Sequence, residues 1–217
     1  MVELDGRNIV IDTGPDFRYQ MLRQHVTRLD AVLFTHAHKD HVAGLDDVRA
    51  FNRQQGGAVD IYGTRDVHEA LQREFYYAFS AKRYPGVPML KLHEITSEPF
   101  RLFGHQVTPI EVMHYMMPVL GFRIGDFTYI TDAKTVDNRQ IEKIIGSKIL
   151  VVNALQREAH ISHFTLDEAV AFAQRIGAEH TYFTHISHRL GLHANAGREL
   201  PRGIHLAYDG LRLTLSS

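Results

Sequence analysis

Residues 33–47 read "LFTHAHKDHVAGLDD". Four groups that bind metals, His36, His38, Asp40 and His41, crowd the end of the short apolar run "AVLFT" at 31–35. His36, His38 and Asp40 recur with period two, so an extended segment aims them one way. His41 follows where a helix begins. Imidazole and carboxylate are ligands for Zn, Mn or Fe. Packing does not call for H-x-H-x-D-H, and crowding that much imidazole and carboxylate without a cation is unfavourable. Four such groups can serve two neighbouring ions but cannot complete either shell, so further ligands must come from elsewhere.

The rest of the chain offers them in one repeated form, a strand that ends in a ligand-type residue. "IEVMH" ends at His114, "FTYIT" is followed by Asp132, and "TYFT" is followed by His185. A carboxylate such as Asp132 can bridge two metals, one oxygen to each. Taken singly, these three residues are equally well read as hydrogen-bonded or surface groups. His25, His68, His93, His105, His160, His180, His193 and His205 are read as structural or surface residues.

The surrounding pattern is α/β. "VELDGRNIVID" is a hairpin turning at Asp5-Gly6, its first arm, 2–4, stunted beside the second, 8–12. Helices are expected at 15–27, 42–53 and 65–79, with "VDIYG" a strand and "PGVP" a loop. The middle is β-rich: "HQVTPIEVMH", "PVLGFRI" and "FTYIT", with a two-residue turn at Gly125-Asp126. "KILVVNA" (148–154) is a buried-type strand and "HTYFTH" another. "TLDEAVAFAQRIG" is a helix that Thr165 and Glu168 cap as a box and Gly177 ends. "HLAYDGLRLTL" reads as a second Asp-Gly hairpin. Strands thus occur both in hairpins and in alternation with helices, which predicts mixed sheets covered by helices in a single domain, 1–217.

Composition narrows the chemistry. The 217 residues include 15 histidines and no cysteine, which removes disulfides, thiolate nucleophiles and thiolate metal sites together. The net charge of −1, with Lys and Arg scattered, shows no basic stripe for a phosphate backbone. No run approaches the ~18 apolar residues of a membrane span, and "MVELDGRNIV" is not a leader, so a cytoplasmic protein is expected.

"THAHKDH" resembles the T-H-x-H-x-D-H signature of the metallo-β-lactamase-fold hydrolases. "IDTG" with Asp12, then His114, "TDA" with Asp132 and "THISH" with His185 follow in the same order, so the resemblance covers essentially the whole chain. It implies an αββα sandwich of two mixed sheets flanked by helices. It implies that His36, His38 and His114 hold one divalent ion and Asp40, His41 and His185 a second, that Asp132 bridges them, and that Asp12 orients the ligand loop. The ions, Zn or Mn, would lie ~3.5–4 Å apart and share an attacking hydroxide, whose proton Asp40 can orient.

"HISHFTLDEA" is similar to the segment of the phosphodiesterase branches whose histidine protonates the leaving group, which makes His163 the general acid. "THISHRL" and "YDGLRL" are similar to the phosphoribosyl cyclic phosphodiesterase of phosphonate breakdown. His188, three residues after a ligand, would contact the phosphate. Flavo-diiron reductases place Glu where His38 stands, and glyoxalase II has a thioester-binding tail that nothing here matches. Class B β-lactamases are secreted, and their common subclass needs a Cys ligand. The tRNA 3′ endonucleases carry a long tRNA-gripping arm; no such basic Gly/Pro-rich insertion is read here, and the one candidate, "FYYAFSAKRYPGVPML", is short and aromatic. The expected substrate is therefore a small phosphodiester, with no membrane partner, nucleic acid disfavoured but left open, and a homodimer left open. The family begins one or more strands earlier than this chain, so N-terminal strands are expected to be missing. The alternatives are an RNA 3′-end endonuclease and a non-catalytic metal-binding protein left inactive by that loss.

Overall fold

A computed structural model describes residues 1–82 and 84–215; Arg83, within the aromatic segment named above, lies outside the described residues. The chain divides into two compact units, Met1–Thr96 and Ser97–Ser217. Each has its own sheet and its own apolar core.

In the first unit the elements run β1 (Val2–Leu4), β2 (Arg7–Ile11), α1 (Phe17–Arg23), β3 (Ala31–Leu33), α2 (Lys39–Val42), a 3₁₀ turn (Leu45–Val48), α3 (Arg49–Gln55), β4 (Val59–Gly63), α4 (Arg65–Glu74), α5 (Tyr76–Phe79) and β5 (Leu90–Glu94). The five strands pair in sequence order. β1 and β2 are antiparallel and the others parallel. Asp5 and Gly6 both take positive φ, 48° and 72°, the type I′ turn whose twist suits a hairpin. Phe17, Leu29, Phe34, Leu45, Ile61 and Leu71 pack the core.

Two expected helices are shorter or broken. The helix expected at 15–27 ends at Arg23, because His25 turns left-handed (φ 53°) while His25 N–H donates to Leu22 O and Val26 N–H to Met21 O, a Schellman closure. The helix expected at 42–53 is interrupted at Gly44. That residue packs so tightly on the first loop that an added Cβ would lie 2.4 Å from Gly14 O, and its N–H donates to Thr13 O instead of continuing the helix. The helix expected at 65–79 kinks at Phe75, and Phe75 and Ala78 stay buried on either side.

In the second unit the elements are β6 (Phe100–Leu102), β7 (His105–His114), β8 (Met117–Ile124), β9 (Phe127–Tyr129), α6 (Asn138–Ile144), β10 (Ile149–Asn153), α7 (Leu166–Ile176), β11 (His180–Thr184), a 3₁₀ turn (His188–Leu190), α8 (His193–Arg198) and β12 (Ile204–Leu206). β6 to β9 form an antiparallel meander; β9 to β12 are parallel, so this sheet is mixed too. The Gly125-Asp126 turn joins Ile124 to Phe127 as expected. α7 has its full capping box, with Thr165 Oγ1 accepting from Glu168 N and Glu168 accepting from Thr165 N, and Gly177 ends it at φ 71°.

The expected C-terminal hairpin does not form. Leu211 N–H donates to Tyr208 O, so the turn is present, but only Gly210 has positive φ. The hairpin turns with the right twist have positive φ at the first central residue, which here is Asp209, and residues 211–215 form no strand. No helix among the described residues is long and apolar enough to cross a membrane.

Candidate metal centre

In the first unit the ligand loop follows β3. Asp12 organises it from the end of β2. One carboxylate oxygen accepts from Thr35 N (2.8 Å); the other accepts from Thr35 Oγ1 (2.8 Å) and His41 Nδ1 (2.7 Å). His41 therefore carries a proton on Nδ1, which leaves Nε2 as the nitrogen that can ligate. Thr35 Oγ1 also lies 2.9 Å from His36 Nδ1. The three rings cluster: His36 is 4.6 Å from His38 and 4.1 Å from His41 between centroids. His36 and His41 are buried; His38 and Asp40 are exposed. Asp40 Oδ2 lies 3.5 Å from His41 Nε2.

Backbone contacts hold the two loops of this unit together. Thr13 N–H donates to His41 O (2.7 Å), and a Cβ on Gly14 would meet Asp40 O at 2.7 Å. "IDTG" and "KDHVAG" thus approach each other closely because positions 14 and 44 are glycine.

In the second unit β7 ends at His114, whose Nδ1 faces two carbonyls, Asp132 O (3.1 Å) and Ser162 O (3.0 Å). Carbonyls only accept, so this nitrogen bears the proton and Nε2 is again the donor atom for a metal. Asp132 is 1% exposed, accepts from Thr131 Oγ1 (2.9 Å), and has Oδ1 2.9 Å from His185 Nε2 and 3.7 Å from His163 Nε2. The His163 ring meets His114 edge-on at 4.5 Å and stacks on His185 at 4.9 Å. His114, Asp132 and His163 each offer a ligand atom within 4.8 Å of the others.

The segment 154–156 ties this cluster together. Ala154 N–H donates to Thr184 O, Leu155 N–H to Phe164 O, and Ser187 N–H to Leu155 O. Phe164 N–H donates to Ala133 O beside Asp132, and α7 is capped two residues after His163. Buried Asn153 grips the same loop, accepting from Ala133 N (2.7 Å) and donating to Ala133 O (3.0 Å). Burial pushes the His163 imidazole down to about 4; the Asp132 carboxylate opposes this, and the neighbouring His185, His114 and His160 add to it.

Among the described non-glycine residues, seven have positive φ, and three of these are Asp12 (61°), Asp132 (57°) and His185 (54°). Left-handed backbone is costly away from glycine and concentrates at functional positions. Asp12 and His185 directly follow the last residues of β2 and β11, as the strand-end reading expects, and Asp132 lies three residues past β9. His188 opens the 3₁₀ turn after His185 and is exposed. Sequence reading missed Asn153, whose signal was a polar residue closing an apolar strand. It also set His160 aside, although its spacing of three from His163 pointed to a pair.

The donor chemistry fits divalent metals: imidazoles of His41 and His114 whose Nδ1 is held by oxygen acceptors, and a deeply buried carboxylate, Asp132, beside the rings of His114, His163 and His185. The comparisons agree. The chain belongs to the β-lactamase superfamily, whose domain model matches residues 7–186. It is a metal-dependent hydrolase by class. Within that class it falls with the PhnP family. The solved structure described as a new diphosphatase from the PhnP family is 39% identical to it with a TM-score of 0.91, over 99% of this chain and 82% of that one. An octanoyltransferase of Porphyromonas gingivalis is 38% identical over 95% of this chain, which spans only 42% of that protein. A ribonuclease Z of Pyrobaculum calidifontis is 34% identical over 36% of this chain and 29% of its own length. The short form of human tRNase Z shares the fold, with a TM-score of 0.75 at 18% identity over 100% of this chain and 91% of that one.

Proposed function

We propose that this chain is a two-metal phosphodiesterase acting on a small cyclic or nucleotide-like phosphodiester. His36, His38 and His114 would hold one divalent ion, Asp40, His41 and His185 the other, with Asp132 shared; the donor set suits Zn or Mn. When bound, the ions supply Lewis acidity toward phosphoryl oxygens and water. Asp12 keeps His41 in the ligating tautomer. Asp40 orients the proton of the attacking water. His163 protonates the leaving alkoxide from Nε2, and His188 contacts the phosphate. The negative charge of a bound phosphodiester favours the protonated form of His163, which is neutral in the free chain.

The observation that carries this reading is the posture of His163. Its Nε2 faces Asp132 from 3.7 Å, beyond hydrogen-bond reach, while its Nδ1 is tied back to the 160–162 loop. That leaves Nε2 able to exchange a proton with a substrate. His163→Ala is expected to keep two ions per chain. Turnover should fall about 10²- to 10⁴-fold on a diester with an alkoxide leaving group, and much less when the leaving group is p-nitrophenolate, which needs no proton. Loss of an ion would make His163 a ligand instead, and unchanged turnover would remove it from the reaction.

The match to ribonuclease Z favours a second reading, cleavage at RNA 3′ ends. Hydrolysis of pre-tRNA in preference to small diesters would select it. Two bound ions with no turnover on any phosphodiester would select a non-catalytic metal-binding protein.

A further inference from the structure

His160 sits outside every role assigned above, yet its hydrogen bonds are restrictive. Ser162 N–H points at His160 Nδ1 from 3.3 Å. A backbone amide can only donate, so His160 Nδ1 presents a lone pair. The same nitrogen lies 3.2 Å from His163 Nδ1, and the rings meet edge-on at 4.9 Å. Two lone pairs at that distance repel, so the proton between them resides on His163 Nδ1. Ser162 Oγ, 3.0 Å from His163 Nδ1, accepts from the same Nδ1–H, which places the proton in the same sense.

We propose that His160 is a positioning residue that fixes His163 with its proton on Nδ1, so that Nε2, the atom facing Asp132, is the one whose proton is gained and given up. This rests on the proposed role of His163 and deepens it. The logic is that of a reacting group, its proton carrier and a third residue that sets the carrier's tautomer. Here the third residue is a neutral imidazole, which selects the tautomer without adding negative charge.

The test uses the zinc-loaded chain with ¹⁵N-labelled histidine. In the unaltered protein the neutral His163 ring should report Nδ1–H; an Nε2–H ring would overturn the proposal outright, whatever the variants do. His160→Ala should shift the population toward Nε2–H and retain two ions. It should lower kcat about ten- to a hundredfold on an alkoxide-leaving diester, part of the contribution of an acid, with KM unchanged and little loss on a p-nitrophenyl diester. His160→Asn, whose amide oxygen stands near the Nδ1 position, should restore both tautomer and kcat. If His163→Ala shows the leaving-group dependence and His160→Ala does not, the positioning role is refuted while the general acid stands. If His163→Ala shows none, the general-acid reading fails, and the tautomer measurement still decides whether His160 sets the ring.

Discussion

Replacing Asp12 by Asn separates orientation from bulk. The carboxylate accepts on both oxygens, from the fixed Thr35 N–H on one side and from His41 Nδ1–H and Thr35 Oγ1 on the other. An amide of the same shape can accept on one side only. The backbone N–H cannot change, so the amide oxygen stays on Thr35 and the NH₂ faces His41. That donor forces His41 to move its proton to Nε2, the atom a metal needs bare. The lost bond is charge-assisted and nearly buried, with both side chains 8% exposed, a class worth about 1.5–3 kcal/mol. Removing such an orienting partner costs about 10- to 100-fold in metal affinity, or about 1.4–2.7 kcal/mol, the same range by a separate route. Asp12→Ala makes a useful contrast. It imposes no wrong donor on His41, but puts alanine at φ 61°, which Asn tolerates better. Asp12→Asn should therefore weaken one of the two zinc ions at least as much as Asp12→Ala, measured by chelator competition, while Asp12→Ala loses more stability to urea. Unchanged affinity for both ions in Asp12→Asn would refute the tautomer argument.

Two further outcomes follow from the second unit. Asn153→Leu should cost about 1–3 kcal/mol in a urea melt, the penalty of one buried unpaired N–H at Ala133, because Ala133 O keeps its bond from Phe164 N. The His163 imidazole, held down at about 4 mainly by burial, is neutral when folded but takes up a proton when unfolded below its ordinary value of 6.5. The unfolded state then binds more protons, so His163's contribution makes the metal-free chain lose stability as pH falls from about 6.5 to 4. His163→Gln should flatten that part of the urea-midpoint profile.

The candidate ligand residues stand out in the sequence because their chemistry is compressed there. H-x-H-x-D-H has no packing rationale, and His114, Asp132 and His185 each close an apolar run. The capping box of α7 was legible for the same reason: Thr165, Glu168 and Gly177 act within one helix. What escaped depends on contacts through space. Gly44 looked like part of a helix until Gly14 O was seen to fill the place of its side chain. The Asp209-Gly210 pair predicts a turn, but whether a second arm pairs depends on a φ angle that composition does not set. The nearness of His160 to His163 in sequence hints at a pair, but nothing local says that the two Nδ1 atoms meet.

The central claim is that hydrolysis needs two ions on this donor set. Titrating the metal-free chain with zinc or manganese while following bis(p-nitrophenyl) phosphate hydrolysis tests it directly. Turnover should rise to a plateau at two equivalents per chain, and Asp132→Ala should lose the second equivalent together with the activity. A plateau at one equivalent, or two tightly bound ions without hydrolysis, would contradict the account.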